Sequence, residues 1–357
     1  MREMTEVRKK ENSYFIAANG YTGFRSRYDA VFRAALYTHV YIIKGGPGTG
    51  KNRMMQEIAQ EVEAQGGQVD YIYCSSDPSS LDGVILKNKD KKIAVLDGTA
   101  PHTRCTELPG VADELVNLGA FWDQGCLKEQ REEIVRLCQG KSAEYQMAYR
   151  YLSLAGAVDK LLIELLFDCV DHEKVNKSIG RTLRSLARTR SPGEQLRYYD
   201  ACSMRGKLRF SSLPVSTEII CVDDYLCSGR FYLNAMRDAL RHENACSYVL
   251  IPSCYDDERT DGIYLPNDNI AFLIDRGESK HINMKRFIKK NETVQRRPAL
   301  RRLTALHEQL TDTAVEHLQH AGTYHFALEE IYGGAMDFDK KEKCVQNIIW
   351  RILDQLF

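Results

Sequence analysis

The sequence lacks an excess of charge of either sign. Its 357 residues carry 49 Lys and Arg against 49 Asp and Glu, which gives a formal net charge of zero. A protein that holds nucleic acid or membranes through overall basicity is therefore excluded. Hydrophobic residues make up 43% of the chain, too much for a disordered protein and enough for packed cores. At roughly 150 residues per domain, the length predicts about two domains.

Cysteine pairs with metal-ligand or redox spacing are also missing. None of the 11 cysteines forms a Cys-x-x-Cys pair, and an odd number cannot pair completely within one chain. A zinc ribbon or a thioredoxin-like site is therefore not expected. The first residues are charged, and no apolar run approaches the roughly 20 residues of a membrane helix. These absences predict a cytoplasmic protein with reduced cysteines and no membrane partner.

The strongest motif is a glycine-rich loop between a predicted strand and a predicted helix. Residues 40–43 are β-branched or aromatic, and apolar residues recur at helical spacing after Lys51. Glycines let backbone N–H groups surround a phosphate, and the helix start and Lys51 add positive charge. The G-x-x-x-x-G-K spacing favours a nucleotide-binding Walker A motif over an ordinary glycine turn. The predicted binding residues are Gly45, Gly46, Pro47, Gly48, Thr49, Gly50, Lys51 and Asn52.

The residue after Lys51 departs from the usual motif. Ser or Thr normally binds Mg²⁺ at this position, whereas this chain has Asn52. An amide oxygen can ligate Mg²⁺, so Asn52 is predicted as one metal ligand. Asp97 ends the predicted strand 91–97 and is predicted as another, the alternative being a carboxylate that caps a turn. Nucleotide binding is therefore better supported than efficient hydrolysis.

Besides Lys51 and Asp97, two residues in the loop that follows Asp97 are catalytic candidates. They are His102 and Arg104, which could contact a γ-phosphate or polarise a nucleophile, although a structural or solvated role is commoner for such loop residues. No Glu follows Asp97, so the usual water-activating carboxylate is missing. Residues 75–77 follow another predicted strand, and they could face the ligand or form an ordinary polar turn.

The order of elements recurs about 179 positions later. Residues 219–222 predict a strand that enters a second loop, followed by a helix, a strand and an Asp-Gly turn. The strand 270–275 then ends in an Asp, like the strand that ends at Asp97. This shared order favours a duplication over coincidence.

The second loop has a different chemistry. Asp223 and Asp224 replace the first glycines, and Arg230 stands in the place of Lys51. Negative charge in the position of a phosphate predicts that this copy does not bind nucleotide in the ordinary way. It could instead support the first copy, or lend Arg230 or Arg276 to it.

These patterns predict an α/β protein with a duplicated P-loop NTPase fold, in which a parallel sheet is flanked by helices. Each copy is followed by a helical region. The predicted domains are residues 1–205, with a helical extension at about 123–197, and residues 206–357, with C-terminal helices from about residue 298.

Two basic stretches lie within the neutral total. Residues 174–209 contain ten Lys and Arg, and residues 285–302 contain eight. A solvated helix face is the preferred interpretation of both stretches. The alternatives are a polyanion surface, such as a nucleic-acid site, and an arginine that reaches the γ-phosphate.

Four segments carry a family resemblance: IIKGGPGTGK (42–51), YIYCSSDPSSLDGV (71–84), VLDGTAPH (95–102) and AMDF (335–338). With them, the chain resembles, over nearly its whole length, a functionally uncharacterised family of bacterial P-loop ATPases with tandem nucleotide-binding halves. The resemblance implies a duplicated α/β protein that binds ATP, and it supplies no substrate.

Three functions remain open at this stage. The preferred one is a Mg²⁺-dependent ATPase with one active and one degenerate nucleotide site. A nucleotide or small-molecule kinase is the first alternative, because GGPGTGK and the Asp-Gly-x-x-Pro run look somewhat like adenylate-kinase-type enzymes. A nucleotide-binding switch without catalysis is the second, because of Asn52 and the altered second loop. ATP and Mg²⁺ are the expected ligands, and no protein partner is identified.

Overall fold

A computed structural model describes residues 4–186, 192–244, 246–275 and 280–357. The strands in chain order are Thr5–Arg8 (β1), Ser13–Phe15 (β2), Ala17–Gly20 (β3), Gly23–Ser26 (β4), His39–Lys44 (β5), Gln68–Tyr73 (β6), Leu81–Asn88 (β7), Lys91–Asp97 (β8), Asp113–Asn117 (β9), Gly193–Leu196 (β10), Asp200–Ser203 (β11), Gly206–Ser211 (β12), Glu218–Val222 (β13), Ser247–Pro252 (β14), Thr260–Leu265 (β15), Ile270–Ile274 (β16) and Lys280–Ile282 (β17).

The helices are Tyr28–Val31 (α1), Lys51–Ala64 (α2), Gln124–Glu129 (α3), Arg131–Phe167 (α4), His172–Leu183 (α5), Gly229–Glu243 (α6), Lys290–Gly334 (α7) and Phe338–Leu356 (α8). We refer to residues 4–186 as the first half and to residues 192–357 as the second half. Among the described residues, none of the helices has both the length and the apolar character needed to cross a membrane. The predicted α/β class is confirmed.

The first half contains a six-stranded sheet in the order β2-β6-β7-β8-β5-β9. β7 runs antiparallel to both of its neighbours, and the remaining pairs are parallel. The prediction of a parallel sheet is therefore wrong for β7, and the sheet is mixed. The cause is the short connection to β8: Asn88 pairs with Lys91, and a two-residue link can join only antiparallel strands.

The second half repeats this arrangement with the order β10-β14-β15-β16-β13-β17. Its pairs have the same senses, with β15 antiparallel to both neighbours. A register shift between Ile72 and Tyr73 in β6 has a counterpart between Ile251 and Pro252 in β14. The two sheets thus share strand order, strand direction and an irregularity.

Two hairpins connect the sheets at the centre of the molecule. They are β3–β4 and β11–β12, and the second also carries β1 along its edge. Phe15 and Tyr198 exchange two backbone hydrogen bonds, of 2.9 and 3.0 Å, across the halves. One buried cluster includes apolar residues of both sheets and both hairpins, so the halves share a core. The predicted boundary between residues 205 and 206 falls in the β11–β12 turn.

The long helices α4 and α7 pack along each other in opposite directions. Glu144 of α4 contacts His317 of α7, and Asp168 beyond the end of α4 contacts Arg296 near the start of α7. The expected helical regions are therefore present. The second begins at Lys290, before Pro298, which lies inside α7.

The last helix of each half packs on the sheet of the other half. Val175 and Ile179 of α5 join the cluster around the second sheet and α6. Val345 and Ile348 of α8 join the cluster around the first sheet and α2. Each such buried side chain contributes about 1.5–3 kcal/mol, so these exchanged helices tie the halves together.

Candidate functional site

The glycine loop connects β5 to α2 as the sequence predicts. Gly48 and Gly50 have φ of 71° and 77°, a region in which glycine is favoured. A Cβ placed on Gly48 would lie 2.3 Å from the carbonyl oxygen of Glu329 in α7. The hydroxyl of the buried Thr49 donates to the carbonyl of Gly46 at 2.9 Å. The loop therefore has a fixed shape that depends on its glycines.

Lys51 and Asp97 lie side by side at this loop. Nζ of Lys51 donates to the carbonyls of Gly45 and Gly46, at 2.7 Å each. The same nitrogen is 3.5 Å from Oδ2 of Asp97, which ends the strand next to β5. Burial raises the pKa of Asp97, although the charge of Lys51 and hydrogen bonds from Thr99 act in the opposite direction. The structure thus brings together the two charged residues that the motif analysis paired.

Asn52 has another partner in the structure. Its Oδ1 accepts hydrogen bonds from the backbone N–H of Leu81, at 3.1 Å, and from the side chain of Gln56, at 3.2 Å. The amide oxygen predicted to ligate Mg²⁺ therefore anchors the start of β7 to the first turn of α2.

His102 and Arg104 lie in the loop between β8 and β9, and their side chains point to other partners than Lys51 and Asp97. His102 is buried, stacks on Tyr28 with ring centroids 4.0 Å apart, and lies 3.1 Å from Asp82. Arg104 binds the carbonyl of Phe32 at 2.6 Å, Asp29 at 3.0 Å, and Glu107. Within the described residues, neither side chain has a hydrogen bond or ion pair to Lys51 or Asp97. Their contacts here hold the α1 region in place.

The predicted ligand-facing residues 75–77 meet the second half. Asp77 accepts a hydrogen bond of 2.6 Å from Nε of Arg205, which lies in the β11–β12 turn. The backbone N–H of Met204 donates to the carbonyl of Ser76 at 2.9 Å. Burial would raise the pKa of Asp77, but hydrogen bonds from Arg205 and Ser79 lower it. Arg205 therefore comes from the second half, and its sequence position did not indicate that it belongs to this site.

The end of α7 adds two titratable groups near Lys51. Burial, with the charges of Lys141 and Lys51, lowers the pKa of His325 to about 4. Burial and the charge of Asp77 raise the pKa of Glu329, whose Oε1 lies 3.6 Å from His325. His325 is therefore neutral at neutral pH and adds no charge to the site.

Two further side chains border the loop. The indole of Trp122 lies against Gly46, where an added Cβ would be 3.2 Å from the ring. Lys341 of α8 is buried, and an added Cβ on Gly50 would lie 3.4 Å from its Nζ. Pattern analysis missed both residues, because neither is near the loop in sequence.

The second loop places a carboxylate at its own helix start. Oδ1 of Asp224 accepts a hydrogen bond of 2.9 Å from the N–H of Gly229, the first residue of α6. Leu226 and Cys227 have φ of 54° and 63° in the loop that precedes it. Asp275 was predicted to correspond to Asp97, and the register of the strands does not agree. Ile274 pairs with the last residue of β13, and Asp275 lies one position beyond it.

Arg230 does contact the first half, but within the described residues its guanidinium has no hydrogen bond or ion pair to the glycine loop, Lys51 or Asp97. Its guanidinium forms two hydrogen bonds with Asp159 of α4, at 2.7 and 2.8 Å, and both side chains are buried. This pair lines a cavity of about 1510 Å³ that residues of both halves enclose. The other suggested donor, Arg276, lies outside the described residues.

Several residues of the basic stretches are ion-paired. The pairs are Lys174–Asp171, Lys177–Glu173, Arg205–Asp77, Lys207–Asp312, Arg209–Asp200 and Arg296–Asp168. Arg188 and Arg190 of the first stretch lie outside the described residues. The basic charge in the described parts of these stretches is therefore partly neutralised by neighbouring carboxylates.

No protein-family model, curated protein or solved structure matches this chain. The functional argument therefore rests on the residues and on their geometry.

Proposed function

We propose that the first half binds ATP with Mg²⁺ at residues 45–52 and hydrolyses it slowly. The observation that supports this most directly is the position of Lys51. Its ammonium is folded over the carbonyls of a glycine loop at the start of a 14-residue helix. Phosphate oxygens are stronger partners for an ammonium than backbone carbonyls, so a nucleotide would exchange one set for the other. The loop N–H groups and the helix start favour the same anion.

The donor set fits a magnesium ion in part. Within the described residues, Oδ2 of Asp97 accepts no hydrogen bond and lies 3.5 Å from Nζ of Lys51, so this carboxylate oxygen could turn to a metal. Asn52 could ligate only by giving up its bond to the N–H of Leu81. Mg²⁺ held by Asp97 would neutralise phosphate charge. The roles left to the chain are phosphate binding by Lys51 and the loop N–H groups.

The second half is proposed to be a degenerate copy of the first. The common strand order and the matching register shifts support a duplication. In the second copy, Asp224 occupies the helix start where a phosphate would bind, and Arg230 is paired with Asp159. We therefore assign one nucleotide to each chain. This proposal agrees with the resemblance to tandem P-loop ATPases.

Phosphate release from MgATP tests the proposed activity. Wild type should turn over ATP, and Lys51→Ala should lower the rate about 100-fold, because a charge-assisted bond to phosphate is worth up to about 3 kcal/mol. Arg53→Ala is the matched control, since Arg53 is on the same helix, is exposed, and pairs with Glu57 on the helix surface. Turnover in Lys51→Ala within about threefold of wild type would refute the assignment.

A switch without catalysis is the second candidate, favoured by the engaged amide of Asn52. In that case wild type binds ATP and releases no phosphate. Asn52→Ser then supplies the usual hydroxyl and frees the metal position. A gain of turnover in Asn52→Ser would favour the switch, whereas equal turnover in both proteins would favour the ATPase.

A further inference from the structure

Lys341 is a buried cation in the first turns of α8. The helix begins at Phe338 and is capped by Asp337, whose side chain accepts from the N–H of Lys340. Lys341 is only 2% exposed, and its Nζ lies next to Gly50, at the start of α2. A helix of the second half thus places an ammonium against the phosphate loop of the first half.

This ammonium has no partner in the described parts of the chain. No hydrogen bond or ion pair to Nζ of Lys341 is found there, whereas the adjacent Lys340 is exposed and lies 2.8 Å from Asp337. The rest of the side chain is packed, so an anion bound at the loop would be a strong partner for this charge.

The equivalent position in the other half is apolar. Val175 follows the helix cap Asp171 by the same number of residues that separate Lys341 from Asp337. Val175 is buried in the apolar cluster of the second sheet, whose loop carries Asp223 and Asp224. The buried lysine therefore occurs only beside the glycine loop, where an anion is expected.

We infer that Lys341 binds the β- or γ-phosphate of the nucleotide, together with Lys51. This inference rests on the proposed function. The ligand is a nucleoside di- or triphosphate, and it bridges the loop of the first half and the last helix of the second half. Nucleotide binding then tightens the exchanged helix α8 on the first sheet.

Titration calorimetry with MgATP and MgADP tests the inference. Lys341→Met keeps most of the length of the side chain and removes the charge, and it should weaken MgATP binding by about ten- to a hundredfold. MgADP binding should weaken to the same extent if Lys341 contacts the β-phosphate, and much less if it contacts the γ-phosphate. Lys341→Arg should recover part of the affinity. The matched control Lys340→Met, one residue earlier and exposed, should stay within about twofold of wild type.

Thermal unfolding of the same proteins separates a ligand-binding role from a structural one. Without nucleotide, Lys341→Met should be about as stable as wild type, because the packed apolar part of the side chain is largely kept and no hydrogen bond or ion pair of the described residues is lost. The rise in melting temperature on addition of MgATP should be much smaller than in wild type. A less stable Lys341→Met protein with wild-type nucleotide affinity would overturn the inference.

Failure of the proposed function has a different signature. In that case wild type itself binds neither nucleotide, and the inference about Lys341 falls with it. If wild type binds and both Lys341→Met and Lys341→Gln bind equally well, only the inference about Lys341 is refuted.

Discussion

The buried pair between Arg230 and Asp159 offers a quantitative test of the proposal that the second half is a degenerate copy of the first. In that proposal Arg230 takes the place of Lys51, and its two bonds to Asp159, of 2.7 and 2.8 Å, join α6 to α4. Each side chain is 4% exposed. If Arg230 is structural, then Arg230→Met should reduce stability and leave nucleotide binding unchanged.

The expected magnitude follows from burial. Removing one partner of a buried pair costs about 3–5 kcal/mol when no other charge compensates the one that remains, and the nearby charge of Arg259 favours the lower end of this range for Arg230→Met. Arg230→Met and Asp159→Leu should each lose about this much in urea unfolding followed by circular dichroism. The double variant replaces both charges by apolar groups, so it should be within about 1–2 kcal/mol of wild type.

The pH dependence has a defined sign. Burial would raise the pKa of Asp159, but the hydrogen bonds and charge of Arg230 lower it below its ordinary value of 3.8. A carboxyl with a lowered folded-state pKa stabilises the protein above that ordinary value, and the contribution is lost as the pH falls below it.

A loss under about 1 kcal/mol in Arg230→Met, or a double variant as unstable as the sum of the single ones, would refute the reasoning.

Three further predictions concern the first loop. Gly48→Ala should lower the melting temperature far more than Gly66→Ala. Both glycines have positive φ, but a Cβ on Gly48 would lie 2.3 Å from a carbonyl oxygen of α7, whereas a Cβ on Gly66 would meet open space. Equal losses in the two variants would contradict this. The fluorescence of Trp122, recorded in a Trp350→Phe protein, should change on addition of ATP because the indole borders Gly46, and an unchanged spectrum would count against a ligand there. Burial lowers the pKa of His325 from its ordinary 6.5 to about 4, so the unfolded chain takes up the proton first as the pH drops. The free energy of unfolding should therefore fall between pH 6.5 and pH 4. The fall should be smaller in His325→Gln, and a pH profile that is the same in both proteins would argue against the burial of His325.

The strands and the loop could be predicted because their signals are local. Apolar runs identified β5 and β8, and glycine spacing identified the loop with Lys51 at the helix start. No strand was predicted at residues 81–88, so the antiparallel β7 and its short link to β8 were missed and the sheet was expected to be parallel. The exchange of α5 and α8 could not be predicted, since amphipathic spacing shows that a helix face is buried and does not show which sheet covers it.

Some of the site residues that were missed had a signal in the sequence, and others had none. Lys341 falls on the same helix face as Val345, Ile348 and Ile352, and a lysine on an apolar face is a signal that the sequence carries. Arg205 had no such signal, because its contact with Asp77 arises from a hairpin that reaches across the halves. His102 and Arg104 were predicted from proximity in sequence, but their side chains are engaged in contacts with the α1 region.

The central claim is that only the first of the two similar halves binds nucleotide. Titration calorimetry of the full chain with MgATP measures the stoichiometry directly, and Lys51→Ala identifies the half that binds. The account predicts one ATP per 357-residue chain, with affinity lowered about 100-fold in Lys51→Ala. Two nucleotides per chain, or wild-type affinity in Lys51→Ala, would contradict it.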